Sequence, residues 1–480
     1  MENTLLHHLY DSEDFREKGV QLIHLLAKHI EDTTHGTNTK AIAWNTPENE
    51  LAFWTHFLET GNKANFFNEI LKRTIHTHHP KYVGHQVAAP APITALTGLV
   101  NSLLNNGMAV YEMGMSPTAM ERIVTDRLCA KLGYTEDAKG ILTSGGTLAN
   151  LTALLAARKA GVAHDVWNDG HHKPLGILVS AEAHYCIDRA AKIMGLGEKG
   201  IIKIPVDNEF RMDTAKMQLA YDKAKAEEIQ VFAIIGSAPS TATGTYDDLD
   251  KIGQFAQKNK LWFHVDGAHG GAAIFSEKYK QLLKGIEWAD SVVIDGHKMM
   301  LMPTITTALL FKNGKDSHTT FSQKADYLLT DTEDEDWYNG GKRTFECTKT
   351  MMSLHWYILL KFYGDGIFDA FVTRQYDLAL EFAQFLTDHA QFELALRPMS
   401  NILCFRFIDP KLSEPQLNVR NNDIRQKLLE EGEFYLVQTK LNDTLYLRTT
   451  LMNPFTTIDH LKTLLERIVL HAQGHSDIPS

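Results

Sequence analysis

Four short segments set reactive side chains directly after apolar runs. Ser144-Gly145-Gly146-Thr147 follows Gly-Ile-Leu and opens the helical stretch LANLTALLAARKA. Two glycines at a strand-to-helix turn let the backbone approach a ligand. The helix N-terminus offers free N–H groups and a positive dipole end to an anion. Gly145, Gly146 and Thr147 are thus a candidate phosphate cradle, with a plain helix start as the other reading. The segment has neither the GK[ST] of a P-loop nor a GxGxxG turn, which counts against ATP and dinucleotides. His264-Val265-Asp266-Gly267-Ala268-His269-Gly270-Gly271 follows Leu-Trp-Phe. A carboxylate closing a buried strand is costly unless it meets a cation or donors. A pyridinium nitrogen is such a cation; a helix cap is the alternative. Asp295-Gly296-His297-Lys298-Met299-Met300 ends the run Ser-Val-Val-Ile. Desolvation there lowers a lysine pKa and frees the neutral amine that imine formation needs, unless the stem snorkels to water. His184, after Leu-Gly-Ile-Leu-Val, either stacks on a flat ring or opens a helix.

The elements that must position these groups are legible too. Residues 1–75 read as helical, with apolar residues recurring at three and four positions. From 76 to 365, β-branched runs alternate with amphipathic helices: GILTSG, LGILVSAEAH, GIIKIPV, VFAIIGSA, LWFHVDGA, SVVIDGHK and TALLFK. Continuous apolar strands separated by helices imply an α/β domain whose mostly parallel sheet is buried on both faces. Ligands of such sheets gather at the carboxyl ends of the strands, where the four segments fall. Residues 366–480 add long helices and then three short strand candidates, ILCFRFI, YLVQTKL and TLYLRTTL, a small α+β domain. A phosphate cradle, a ring-stacking histidine, an aspartate for a ring nitrogen and an imine-forming lysine, all on one sheet, are more simply explained by one cofactor than by four coincidences.

Composition narrows the partners. With 48 basic against 59 acidic residues the net charge is −11, which argues against nucleic acid or an anionic membrane. Cys129, Cys186, Cys347 and Cys404 form no CxxC pair, so reduced thiols and a cytoplasmic location are expected. No apolar run approaches the roughly 20 residues of a membrane helix, and the acidic N-terminus does not read as a signal peptide. His76, His78 and His79 lack a second ligand group at metal spacing, so no metal is expected.

The chain strongly resembles the PLP-dependent group II amino-acid decarboxylases, which include the glutamate, aromatic-amino-acid and 2,4-diaminobutyrate enzymes. The likeness runs over about residues 70–465 and includes His79-Pro80-Lys81, the HVDGAHGG segment and HKMM. It implies pyridoxal 5'-phosphate (PLP), a fold-type I, aspartate-aminotransferase-like architecture, and a homodimer with its active site at the interface. By match, Lys298 would form the internal aldimine, Asp266 would pair with the pyridine nitrogen and His184 would stack on the ring. Ala268 would lie beneath it, Gly146, Thr147 and His297 would hold the phosphate, and Ser240 or Thr241 would approach the 3'-hydroxyl edge.

Tyr338-Asn339-Gly340-Gly341-Lys342-Arg343 resembles the glutamate decarboxylase loop whose tyrosine protonates the carbanion, and the acidic stretch 331–336 reads as a mobile surface loop. Arg448, in Leu-Arg-Thr-Thr-Leu, matches the family's α-carboxylate ligand, to which a planar guanidinium is suited. The resemblance implies α-decarboxylation of an L-amino acid through aldimine and quinonoid intermediates. Four features depart from the pattern: Asp295-Gly296 in place of Asn-Pro, His269 in place of a frequent Trp, His85 where glutamate decarboxylase has a substrate-contacting Gln, and Ala88-Ala89-Pro90 in place of its Ser-Thr-Gly neighbourhood. Glutamate, aspartate or 2,4-diaminobutyrate is expected as substrate. An aromatic amino acid, or a PLP enzyme breaking another bond (an aminotransferase or lyase), is the alternative.

Overall fold

The computed structural model describes residues 4–36, 40–321 and 337–474. All seven apolar runs of the central region are strands: β1 (Lys139–Thr143), β2 (Leu175–Ser180), β3 (Ile201–Ile204), β4 (Gln230–Ser237), β5 (Trp262–Asp266), β6 (Ser291–Asp295) and β7 (Thr307–Phe311). They form one sheet in the order β1-β7-β6-β5-β4-β2-β3. The β2–β3, β2–β4, β4–β5 and β5–β6 pairs are parallel. β7 is antiparallel to both of its neighbours. The connection from Asp295 to Thr307 is too short for a crossover helix, so β7 returns beside β6 in the opposite sense. The remaining six strands therefore point the same way, and their carboxyl ends share one edge, as a fold-type I α/β architecture requires.

Every residue of β2, β5, β6 and β7 is buried, which explains why these strands read as unbroken apolar runs. The helix Gly146–Gly161 lies across β4, β5, β6 and β7. Ala149, Ala153 and Ala157, spaced four apart and fully buried, form its contact stripe and let it lie close to the sheet. That closeness puts the first turn of the helix over the ends of β5 and β6.

The chain divides into two compact units: residues 86–383 with 396–403, and residues 1–85 with 384–395 and 404–480. The three spans read from the sequence divide it differently, because both chain ends fold into one unit. That unit contains the helices Ser12–His35, Pro47–Thr60, Glu414–Glu431 and Ile458–Gln473. Its four-stranded sheet has the order β10-β11-β9-β8, with β8 at Phe392–Leu394, β9 at Ile402–Phe407, β10 at Val437–Leu441 and β11 at Thr444–Thr450. Tyr82 stacks on Tyr435 at 5.2 Å between ring centroids, and Lys81 pairs with Glu433 at 2.6 Å.

Among the described residues no helix is long and apolar enough to cross a membrane. None holds a group of three His, Cys, Asp or Glu side chains suited to a metal. His76 turns both ring nitrogens to backbone carbonyls, of Lys40 at 2.5 Å and Leu71 at 2.8 Å.

Candidate active site

At the carboxyl edge of the large sheet lies a cavity of about 270 Å³, lined by residues from all four motif segments. One wall is the N-terminus of the helix Gly146–Gly161. No side chain caps it, and its N-cap residue Gly145 has φ 105° and ψ 155°. A Cβ at Gly145 would meet nothing nearer than Ile305 at 3.7 Å, so glycine is needed for the backbone conformation and not for space. The uncapped turn, with Thr147 beside it, is an anion cradle.

Asp266 ends β5 and is 8% exposed. Its Oδ1 accepts from the Ala268 amide at 3.2 Å and its Oδ2 from Asn150 Nδ2 at 3.3 Å. Behind Asn150 runs a closed chain of donors. Trp262 Nε1 donates to Ser291 Oγ at 2.8 Å, and Ser291 Oγ lies 2.8 Å from His264 Nδ1. His264 Nε2 lies 2.7 Å from Asn150 Oδ1. A single assignment satisfies every member: serine donates to Nδ1, Nε2–H donates to the Asn150 carbonyl, and the Asn150 amide donates to Asp266. The ring must then be neutral, and burial pushes the His264 pKa down to about 4 against the pull of Asp266. The relay leaves its negative charge on Asp266, facing the cavity.

Lys298 stands across the same space, with Nζ 3.1 Å from Asp295 Oδ2. Burial alone lowers its pKa, but Asp295 and Asp266 outweigh that and hold the ammonium above its ordinary range. The depressed lysine expected from the sequence is therefore corrected: two carboxylates in the same dry space oppose desolvation, and both come from segments whose proximity only the fold creates.

Of the two sequence readings for His184, the structure shows the helix start. It is the N-cap of the helix Tyr185–Ile193, where its Nδ1 accepts from the Cys186 amide at 3.3 Å, and it also lines the cavity. Burial is the first cause lowering its pKa, so it presents a neutral flat ring. His297 lines the cavity while its Nδ1 lies 3.0 Å from the Thr306 carbonyl. Ala268 and Thr241 also line it. Ser240 does not: its Oγ donates to the Glu182 carbonyl at 3.3 Å, so of the two hydroxyls only Thr241 reaches the cavity wall. His269 reaches the wall with Nε2 2.8 Å from Asn401 Oδ1.

The sequence reading overlooked Asn150, Cys186, Pro239 and Ile305 as lining residues. Asn150 stands one helical turn beyond Gly146, on the helix that opens the cavity wall, and its partners are distant in sequence. Cys186 carried no sequence signal; burial raises its thiol pKa far above the usual value.

Arg448 and His85 belong to the other unit, where the fold brings them together. Arg448 is on β11, 6% exposed, and burial lowers its pKa. His85 tilts against Tyr435 at 5.7 Å. Its pKa is lowered first by burial and then by Arg448 and Arg425, so it is neutral beside two cations. Tyr338 is not among the cavity-lining residues. It is 37% exposed and packs edge-on to Tyr111 at 5.8 Å. The acidic stretch 331–336 lies outside the described residues.

The donor set suits PLP at each functional point: an uncapped helix N-terminus for the phosphate, a carboxylate for the ring nitrogen, a neutral flat ring at His184 and a lysine amine. The comparisons agree. The model of the pyridoxal-dependent decarboxylase conserved domain matches residues 64–408. An aromatic-L-amino-acid decarboxylase of Bacillus atrophaeus is 26% identical, with 95% of each chain covered. An aspartate 1-decarboxylase of Aliivibrio fischeri is 27% identical over 82% of this chain and 80% of that one. Among solved structures, the glutamate decarboxylase domain of a Vibrio parahaemolyticus diaminobutyrate-pyruvate transaminase and L-2,4-diaminobutyrate decarboxylase superposes with a TM-score of 0.81. It is 28% identical, with 94% of this chain and 96% of that one covered.

Proposed function

Since the chain belongs to the pyridoxal-dependent decarboxylase family, and is accordingly a PLP-dependent amino-acid carboxy-lyase, we propose that its substrate is a short acidic or diamino L-amino acid: glutamate, aspartate or 2,4-diaminobutyrate. The observation that carries the catalytic reading is the placement of Lys298, Asp266, His184 and the Gly146–Thr147 turn around one cavity. When bound there, PLP withdraws electrons from the bond between Cα and the carboxylate. Lys298 would anchor the cofactor, Asp266 would hold a proton on its ring nitrogen, and His184 and Thr241 would hold the ring. Gly145, Gly146, Thr147 and His297 receive the phosphate. By its match to the family's segment, Arg448 would take the substrate α-carboxylate, to which a planar guanidinium is suited, and His85 would contact the substrate. The glutamate-decarboxylase-like segment around Tyr338 supports a short polar side chain over an aromatic one.

Tyr338 delivers the proton to Cα as general acid. Because it does not line the cavity of its own chain, this role fits a homodimer in which the Tyr338 segment of one copy completes the cavity of the other. Exposed apolar side chains on the helix Pro92–Leu104, namely Leu96, Leu99, Val100, Leu103 and Leu104, support burial against a second copy. A cytoplasmic enzyme is consistent with the reduced cysteines.

Purified protein with PLP and a panel of L-amino acids, followed for carbon dioxide and amine, tests the substrate. Release from glutamate, aspartate or 2,4-diaminobutyrate is expected. Release from aromatic amino acids alone would overturn the assignment. Tyr338→Phe is expected to retain the lysine-bound cofactor absorbance while amine formation falls by about 10²- to 10⁴-fold. Unchanged amine formation would remove Tyr338 from the proton transfer.

A further inference from the structure

Asp295 is a second buried carboxylate in the cavity, and none of the roles assigned above uses it. It is 2% exposed and accepts from Thr307 Oγ1 at 2.5 Å. Its Oδ2 lies 3.1 Å from Lys298 Nζ and 3.6 Å from His297 Nε2. It also faces the anion cradle: a Cβ on Gly146 would stand 3.1 Å from its Oδ1 and 3.2 Å from its Oδ2. The carboxylate thus takes, from within the protein, the two electrostatic positions the cofactor needs. It neutralises the anchoring lysine and sits at the positive end of the helix Gly146–Gly161.

We propose that Asp295 is a built-in competitor of PLP, a counter-ion that stabilises the cofactor-free pocket and opposes the phosphate of the loaded one, so that the chain exchanges its cofactor readily. Both effects have the same sign. Without cofactor, Asp295 and Lys298 form a largely buried ion pair at 3.1 Å, and the raised lysine pKa reflects that pairing with Asp266 adding to it. With cofactor, the lysine charge is committed elsewhere and two anions share one helix end. Of the other ionisable groups around this pocket, Asp266 adds to the pull on Lys298 while accepting from Asn150, His297 lies 3.6 Å from Asp295, burial lowers the His184 pKa, and burial holds Cys186 protonated.

The inference rests on the phosphate seating proposed above. Its test is a PLP titration of the full-length protein and of Asp295→Asn, read from lysine-bound absorbance and from the fraction of Lys298 fixed by borohydride. Asp295→Asn keeps the shape and an acceptor for Thr307 while removing the charge. It is expected to tighten PLP at least about tenfold and to slow cofactor release on dilution. A merely structural role would loosen binding instead. Thr307→Val, which disturbs the same side chain without changing its charge, is expected to leave affinity within about threefold or weaken it. Equal or weaker binding by Asp295→Asn would overturn this inference alone. No lysine-bound cofactor in either protein would overturn the seating of PLP itself.

Discussion

Lys298→Ala is expected to abolish the lysine-bound cofactor absorbance and to lower carbon dioxide release by about 10⁴-fold or more. Among the described residues lining the cavity, Lys298 is the only lysine and the only primary amine. The substitution also leaves Asp295 buried without its cation. Removing one partner of a buried pair costs about 3–5 kcal/mol, so the melting temperature should fall as well. Added PLP should bind only without a covalent link and be removed by gel filtration. Retention of the absorbance band, or of carbon dioxide release within about tenfold of the parent protein, would mean that the cofactor is anchored elsewhere.

Asp266→Asn comes next in expected effect. The one carbonyl of an introduced asparagine can still accept from the Asn150 amide, so the buried chain through His264, Ser291 and Trp262 stays satisfied, while the Ala268 amide loses the acceptor it has in Oδ1. The fold is therefore expected to hold. What disappears is the negative charge that keeps a proton on the ring nitrogen. The loss of one preorganised electrostatic partner in a dry site predicts a fall in kcat of about 10²- to 10³-fold. The absorbance of the bound cofactor should change while Lys298 remains linked to it. A kcat within about threefold of the parent would show that the ring works without this carboxylate.

Much of the fold was legible because buried parallel strands leave continuous apolar runs. Each of the seven runs is a strand, and Asp266 ends β5 and Lys298 follows β6 where a ligand edge was expected. The antiparallel sense of β7 was not legible as an apolar pattern. The information lay in the short link after Asp295. β8, only three residues long, has too few positions to show a pattern. The charge state of Lys298 was misjudged because burial is readable from neighbours in sequence, whereas Asp295 and Asp266 act through space. Asn150 was missed for the same reason, since its partners Asp266 and His264 are 116 and 114 residues away. Ser240 and Thr241 are adjacent, and only the turn geometry decides which hydroxyl points to the cavity.

The unit assembled from both chain ends has a consequence for biosynthesis. Lys81 meets Glu433 across 352 residues of sequence, and Thr456 bonds to the Pro80 carbonyl across 376. At ordinary elongation rates of about 5–20 residues per second, the segment around Tyr82 waits roughly 20–70 s on the ribosome before its stacking partner Tyr435 is made. Throughout that interval Ile42 and Tyr82 lack Gly432 and Tyr435, which they meet in the folded unit. The central sheet, whose strands all lie between Lys139 and Phe311, is complete well before. Nascent chains stalled before residue 400 should consequently protect the sheet from protease while leaving the first 85 residues open to cleavage and to holdase chaperones.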